Sequence, residues 1–289
     1  MERLQLLKDV LSVRTCTYQE DYLVEFLRNY LTEKNYDFFI DEFKNVYVTK
    51  TSPEFEGQHF PCVVAHTDTV HWGMKPINIK EEIKLDYQKR EKLALKAYDD
   101  EGNPSGIGGD DKAGVFGCLS CLEDLPHIKV ALFVSEETGC HGSKMANSEF
   151  FSDVAYAIQF DGPENYMITE VCSGIRLFDR NSYFFDVIDG VFTEKMEYHQ
   201  YMIHPYTDVS MLKMKFDFAC VNISIGYYNY HTAHEYVVLD DVERGIDVCK
   251  TIIERLGYEK QLYEYKKPTY NRHFYVKDED EDFVQRYLF

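Results

Sequence analysis

The chain has 289 residues and a formal net charge of −19, with 45% hydrophobic and 28% charged residues. This length holds one large α/β domain or two small ones, and the composition is that of a folded globular protein rather than a disordered chain. The acidic balance excludes nucleic acid and anionic membrane as partners, and it favours cationic groups such as a peptide amino terminus or divalent metals.

Residues 1–13 read as an amphipathic helix with charges inside it. Nothing has the charged start, apolar run and cleavage site of an export signal, and no run is long enough to span a bilayer. The eight cysteines are scattered through apolar segments, as suits a reducing cytoplasm. Cys118 and Cys121 form the only CxxC. Their surroundings have the pattern of a buried helix, so core packing is expected of them.

Residues 2–13 and 20–34 carry leucines and aromatics at helical spacing, with Thr17 or Gln19 near the second start. Short β-type runs follow at 37–40 and 45–50. Residues 61–65 form a fully apolar strand that stops at His66. Residues 73–104 read as a hairpin excursion with a turn-rich exit. Ser105-Gly-Ile-Gly-Gly-Asp-Asp-Lys-Ala-Gly-Val115 is then a glycine loop that delivers two carboxylates at the start of an apolar helix. Such a loop ordinarily suits a phosphate. Asp110 and Asp111 repel one, so a cation is the better guest.

A buried strand at 128–134 is followed directly by Glu136 and Glu137, and another at 154–160 ends in Asp161. Strands alternating with helices predict a mostly parallel sheet, and ligands gather beyond the carboxyl ends of such strands. Residues 165–190 are aromatic and ambiguous between strand and loop. A short helix is expected at 209–215, a strand at 219–225, and a long closing helix at 239–256 ended by Gly257. Between these last two lies Tyr230-His-Thr-Ala-His-Glu235.

In Ala65-His66-Thr67-Asp68, residues two apart face the same side of a strand, so an imidazole and a carboxylate both reach the crevice. A metal-bound imidazole normally donates its other N–H to an acid or carbonyl, which makes Asp68 a candidate to orient His66. Each acid taken alone is more often a helix cap or a solvated turn. Together, His66, Asp110, Glu136, Glu137, Asp161 and His231 supply enough donors for two metals.

The segments AHTDTV, GIGGDDKAG, SEETGCHGS, QFDGP and HTAHEYV, in that order, resemble the zinc exopeptidase clan with two co-catalytic metals, which includes peptidase T and the compact lidless aminopeptidases. The resemblance implies a three-layer α/β/α fold with a mostly parallel central mixed sheet, of the phosphorylase/hydrolase-like kind. It implies His66 on one metal, Asp110 bridging both, Glu137 and Asp161 as further ligands, and His231 closing the second site. Asp68 then orients His66, and Glu136 is the general base. His231 is preferred over His234 because the ligand histidine in similar proteins stands four residues before a glutamate, here Glu235.

The implied mechanism is attack on an amide by a hydroxide bridging two metals, with Glu136 relaying the proton to the leaving amine. Two imidazoles with carboxylates favour Zn2+, although such a site also admits Mn2+ or Co2+. Many members insert a lid or dimerisation domain between the last two ligands. Only the 69 residues 162–230 separate Asp161 from His231, too few for it. Residues 1–262 are therefore expected to form a single catalytic domain, and 263–289 an aromatic and acidic extension. In place of a lid histidine, His204 or Tyr206 is the candidate donor to a developing oxyanion.

The leading expectation is a cytoplasmic metallo-aminopeptidase acting on short peptides, with homo-oligomerisation left open. A deacylase or carboxypeptidase of the same clan is the second, taking an N-acyl amino acid or a carboxyl-terminal residue, with Arg176 or Arg180 holding a carboxylate. A catalytically silent peptide-binding member is the third.

Overall fold

The computed structural model describes residues 2–265; the acidic run Asp278–Asp282 and most of the expected extension lie outside the described residues. The chain opens with two helices, α1 (Glu2–Ser12) and α2 (Asp21–Glu33). In α2, Leu23, Val24, Leu27 and Leu31 recur at helical spacing and are all buried. Strands β1 (Asp37–Ile40), β2 (Val46–Lys50) and β3 (Phe60–His66) follow, then the long hairpin β4 (Asn78–Leu85) and β5 (Glu91–Tyr98) with the short β6 (Pro104–Ser105). Next come α3 (Gly109–Asp124), β7 (Ile128–Phe133), the single turn α4 (His141–Lys144) and β8 (Val154–Gly162). The remainder is β9 (Met167–Cys172), β10 (Ile175–Arg176), α5 (Tyr183–Lys195), β11 (Gln200–His204), α6 (Asp208–Lys215), β12 (Cys220–Ser224), β13 (Tyr227–Tyr228), β14 (Tyr236–Val238) and α7 (Leu239–Leu256).

The main sheet runs β1-β2-β7-β3-β8-β12-β9-β10, with β11 beside β9. Its centre, β7-β3-β8-β12, is parallel, and antiparallel pairs are added at the edges. Every residue of β3, β7 and β8 is buried, as expected of central parallel strands covered on both faces. One group of helices is built on α3, which packs on β3, β7 and β8 and carries α1 and α7 against it; another is built on α6, which packs on β3, β8 and β12 with α4 beside it. The fold is thus α/β with a mixed sheet between helices.

The hairpin β4–β5 is part of a second sheet, β13-β14-β5-β4, with β6 also on β5. Tyr236–Val238 pairs with Ala94–Lys96 across it. The segment around His231 is thereby held against the hairpin rather than left as a free loop.

One expectation is corrected. The stretch left between strand and loop contains a helix, α5, started by the Ser182 side chain accepting from the Phe185 N–H. Phe184, Val187, Ile188, Val191 and Phe192 are buried at helical spacing, a period obscured by the aromatic density around it. Thr17 and Gln19 stand just before α2, where Glu20 holds the cap position without a side-chain hydrogen bond, and the Thr17 hydroxyl donates to Asp68. Cys118 and Cys121 are both free and fully buried.

Candidate metal centre

His66 closes β3, and Asp161 stands near the end of β8 beside it. Glu136 and Glu137 follow β7 on the other side, and Asp110 opens α3. His231 arrives from the loop between β13 and β14, at φ 61°. Parallel register brings three of these segments to the carboxyl ends of neighbouring strands, and the start of α3 and the β13–β14 loop add Asp110 and His231.

The Nε2 of His66 lies 3.2 Å from Asp110 Oδ1, 3.5 Å from Asp161 Oδ1 and 4.0 Å from Glu136 Oε2. The Nε2 of His231 lies 3.1 Å from Asp110 Oδ2 and 3.1 Å from Glu137 Oε2. Asp110 thus turns one carboxylate oxygen towards each imidazole. Among the described residues the groups compact enough to hold an ion are His66, Asp110 and Glu137, and His66, Asp111 and Asp161, with His231 standing beside Asp110 and Glu137.

The fit to a cation is tested by the atoms themselves. His66 Nε2 and Glu137 Oε1 are buried without a hydrogen-bond partner, although the first has three carboxylate oxygens within 4.0 Å. Orphaned buried donors and acceptors are costly and call for an explanation. Seven carboxyl groups (Asp68, Asp110, Asp111, Glu136, Glu137, Asp161 and Asp208) interact electrostatically around the two imidazoles. An assembly of this kind fits divalent cations held by imidazole and carboxylate.

The pKa shifts show the same excess of negative charge. Burial pushes the His66 ring down, but Asp110, Asp161 and Asp68 outweigh it and hold the ring well above the ordinary histidine value. Hydrogen bonding to Asp110 and Glu137 lifts His231 to about 10. Burial, then the charges of Asp161, Asp208 and Glu137, push Glu136 well above the usual carboxylate range.

Asp68 ties the constellation together. Its Oδ1 accepts the Glu136 N–H at 2.9 Å and stands 3.3 Å from His66 Nδ1. Its Oδ2 accepts the Glu137 N–H at 3.2 Å and the Thr17 hydroxyl at 2.8 Å. Burial raises this carboxyl, but the contacts with His66 and these donors leave it below its ordinary value.

Several supports were not named as site residues from the sequence. Asp111 accepts the His66 N–H at 3.1 Å and the Gly114 N–H at 3.1 Å, locking the start of α3 to the end of β3. A side chain at Gly114 would lie 2.2 Å from the Asp111 carboxylate, so this position has to be glycine. Glu235 is buried and accepts from the N–H of Gly108 at 2.8 Å, the N–H of Asp110 at 2.9 Å and His71 Nε2 at 2.6 Å. Gly106 leaves room for that histidine ring, since a Cβ there would lie 2.1 Å from it. Gln159 donates to Asp161 Oδ2 at 3.1 Å, while Asn222 accepts the Asp161 N–H at 2.8 Å. Asp208 is fully buried, its Oδ1 has no partner, and burial followed by the acids near it pushes its carboxyl up to about 8.

The remaining candidates sit apart from these contacts. His204 ends β11, where its Nδ1 contacts the Tyr206 carbonyl at 2.7 Å, and Tyr206 is exposed. Arg176 and Arg180 both engage Glu170. His234 is exposed, with its N–H on the Thr232 hydroxyl.

Among solved structures, the chain is similar to aminopeptidase PepT from Bacillus cereus (TM-score 0.68, 13% identity, covering 88% of this chain and 98% of that one). It is equally similar to a tripeptidase from Staphylococcus aureus (TM-score 0.68, 14% identity, 88% and 97%). The TET1 peptidase of Pyrococcus horikoshii, described as assembling into a tetrahedron or a large octahedral shell, follows at TM-score 0.60, with 14% identity over 86% of this chain and 98% of that one. No family model matches the sequence, and neither does any curated protein. The fold is shared with these peptidases. Within it the neighbours are aminopeptidases of the peptidase T and tetrahedral kinds.

Proposed function

We propose that the protein is a metal-dependent exopeptidase, an aminopeptidase that hydrolyses short peptides with a free amino terminus. The observation that carries this reading is the divided carboxylate of Asp110, with one oxygen 3.2 Å from His66 and the other 3.1 Å from His231. In the proposal Asp110, His66, Asp161, His231 and Glu137 would hold two divalent ions, with His66 and Asp161 on one side of Asp110 and His231 and Glu137 on the other. Zinc suits this donor set best, and manganese or cobalt is also compatible with it. Two such ions supply Lewis acidity and make water acidic enough to react near neutral pH.

The chain's own residues perform the rest. Glu136 stands beside the ligands at 4.0 Å from His66 Nε2, close enough to take a proton from water and return it to the departing amine. Asp68 keeps Glu136 and Glu137 in register through their N–H groups and fixes the His66 ring at Nδ1, with its backbone carbonyl at 3.1 Å and its carboxylate at 3.3 Å. The surplus of carboxylates at the site suits a protonated amino terminus as the substrate's recognition group.

The test compares free-amine di- and tripeptides with their N-acetylated forms and with N-acyl amino acids, using the metal-loaded and the chelated protein. Metal-dependent release of amino-terminal residues is the expected result. Hydrolysis confined to the acylated compounds would make the protein a deacylase, and full metal occupancy without turnover would make it a silent peptide binder. Assembly is checked separately by light scattering.

A further inference from the structure

Strand β13 presents neighbouring tyrosines to opposite faces of the small sheet. Tyr227 faces the metal centre, where it is buried, the acids of the site push its hydroxyl up after burial does, and its Cβ closes over Gly109. Tyr228 faces the other way. There it lines a cavity of about 640 Å³ between the β4–β5 hairpin, the start of α7 and the segments around Glu164 and Tyr198. This volume is within the usual range for small-molecule sites, roughly 300–1,000 Å³.

Its lining is unusual for so acidic a protein. Tyr87, Tyr166, Tyr198, Tyr228, Tyr236 and Arg244 all contribute. Tyr228 and Tyr236 stack with ring centres 5.1 Å apart, and Tyr166 and Tyr198 pack at 5.3 Å. Tyr87 and Tyr198 are 75% and 56% exposed, so aromatic faces stand open at the rim.

The acids of this cavity are already committed. Glu197 and Asp86 hold Arg90, at 2.8 Å and 2.6 Å. Asp241 accepts from the Tyr228 hydroxyl at 2.7 Å and from Asn165 at 3.0 Å, and Glu164 takes the Tyr166 hydroxyl. Among the other cations, Lys92 pairs with Asp240 at 3.0 Å and Lys84 lies over the Tyr236 ring. Arg244 alone among the basic groups of the lining forms no hydrogen bond, close ion pair or ring contact with the described residues, although its charge is felt by the nearby Glu197, whose own hydrogen bonds go to Tyr87 and Arg90. A half-buried guanidinium left in this state is a ready receptor for a carboxylate.

We propose that this cavity is a second binding site, separate from the metal centre, that takes a planar aromatic carboxylate. The carboxylate sits on Arg244, and the ring packs against the tyrosines, whose flat faces bind aromatic bodies well. A free aromatic acid and the carboxyl-terminal aromatic residue of a peptide share this chemistry.

Calorimetric titration of the metal-loaded protein with 4-hydroxyphenylacetate tests the site. Saturable binding of one ligand per chain is expected, with Kd on the order of 1 mM or tighter. Arg244→Gln should weaken it about tenfold or more, and Tyr198→Leu should weaken it as well while leaving the Arg244 region intact. The uncharged alcohol tyrosol and acetate alone should each bind far less, and stripping the metals with a chelator should change nothing. N-acetylglycyltyrosine binding as well as the free acid identifies a peptide terminus as the natural ligand; failure of the peptide alone identifies a free acid. Absence of saturation, equal affinity in Arg244→Gln, or loss of binding on chelation overturns the proposal.

Discussion

The Glu235 carboxylate accepts the backbone N–H of Asp110 at 2.9 Å, from 125 residues further along the chain. Its other oxygen takes the N–H of Gly108 at 2.8 Å and His71 Nε2 at 2.6 Å. A glycine loop is permissive by nature, and this one carries the carboxylate that lies between the His66 and His231 rings. Glu235 supplies the rigidity that the glycines do not. It also stands four residues after His231, so one short segment carries a proposed ligand and anchors another.

Glu235→Ala should therefore damage both stability and metal retention. Two buried N–H groups lose their acceptor, at about 1–3 kcal/mol each, and removal of an outer partner of a metal site typically weakens metal affinity or activity about 10–100-fold. Glu235→Gln keeps one acceptor oxygen and should fall between the two. Thermal melting and metal content after dialysis measure the effects; a Glu235→Ala protein with unchanged melting and full metal would refute this role.

Asp68→Ala should cost more than Asp68→Asn. The alanine frees the N–H groups of Glu136 and Glu137 and the Thr17 hydroxyl together, so the loop bearing the proposed base and ligand loses its register. Asparagine keeps one acceptor but places an amide near His66 Nδ1. A loss of about 10–100-fold in kcat is expected for asparagine, with KM changed much less. Equal losses in both terms would point to a substrate contact instead.

How much of this was legible in the sequence follows from what each residue type reveals. Apolar runs at Pro61–Ala65, Ile128–Val134 and Val154–Phe160, interrupted only by Lys129 and Gln159, announced the parallel centre, since few other environments accept so many apolar residues in a row. His66, Glu137, Asp161 and His231 were visible because polar groups broke off those runs or closed a motif. Gln159, Asn222 and His71 were not, and Asp111 was visible only as half of the acidic pair that favours a cation. Their partners are backbone groups and side chains from remote segments, and nothing in local spacing distinguishes such a residue from a solvated one. Thr17 was read as a helix-start residue because that is the usual role of its type; only the fold brings Asp68 to it. Helix α5 was missed because its aromatic face and its flanks have the same composition.

The pH dependence of the metal-stripped protein has a definite sign. Asp208 titrates near 8 in the folded state, far above its ordinary value of 3.8, and burial also raises Glu136 and Asp111. Between pH 5 and 7 the unfolded chain has released the Asp208 proton while the folded chain keeps it, and the raised Glu136 and Asp111 shift the balance in the same direction. Raised His66 and His231 act in the same direction as the unfolded histidines deprotonate near 6.5. Stability of the stripped protein should therefore fall as pH rises through this window, by about 1.4 kcal/mol per pH unit for each excess proton held. Urea melts at pH 5, 6 and 7 check it, and a rise in stability across that range would contradict the reading.

Metal addition should reverse that trend, because ions and protons compete for the same atoms and metal affinity grows as the ligands deprotonate. At a free metal concentration one hundred times Kd, stabilisation of about 2.7 kcal/mol is expected for each site. Melting curves of stripped protein with added zinc, manganese or cobalt at pH 7.5 give the measurement. Calcium at the same concentration should do much less, since imidazole is a poor ligand for it. Equal shifts with all four would point to loose charge neutralisation.

Glu136 and Glu137 are adjacent in the chain, yet their surroundings assign them different work. Glu137 lies 3.1 Å from His231 with an orphaned Oε1, as a ligand would. Glu136 has its N–H on Asp68, one oxygen 3.4 Å from Cys140 Sγ and the other 4.0 Å from His66, so it stands at the edge of the cluster and not between the imidazoles. Glu136→Gln should then retain both metals while kcat falls about 10²–10⁴-fold, the range for loss of a general base. Glu137→Gln should lose metal from the His231 side first, and its activity should return in part at high metal concentration. Metal analysis paired with kcat separates the two residues, and a Glu136→Gln enzyme that regains its rate in excess zinc would make Glu136 a ligand and leave the proton without a carrier.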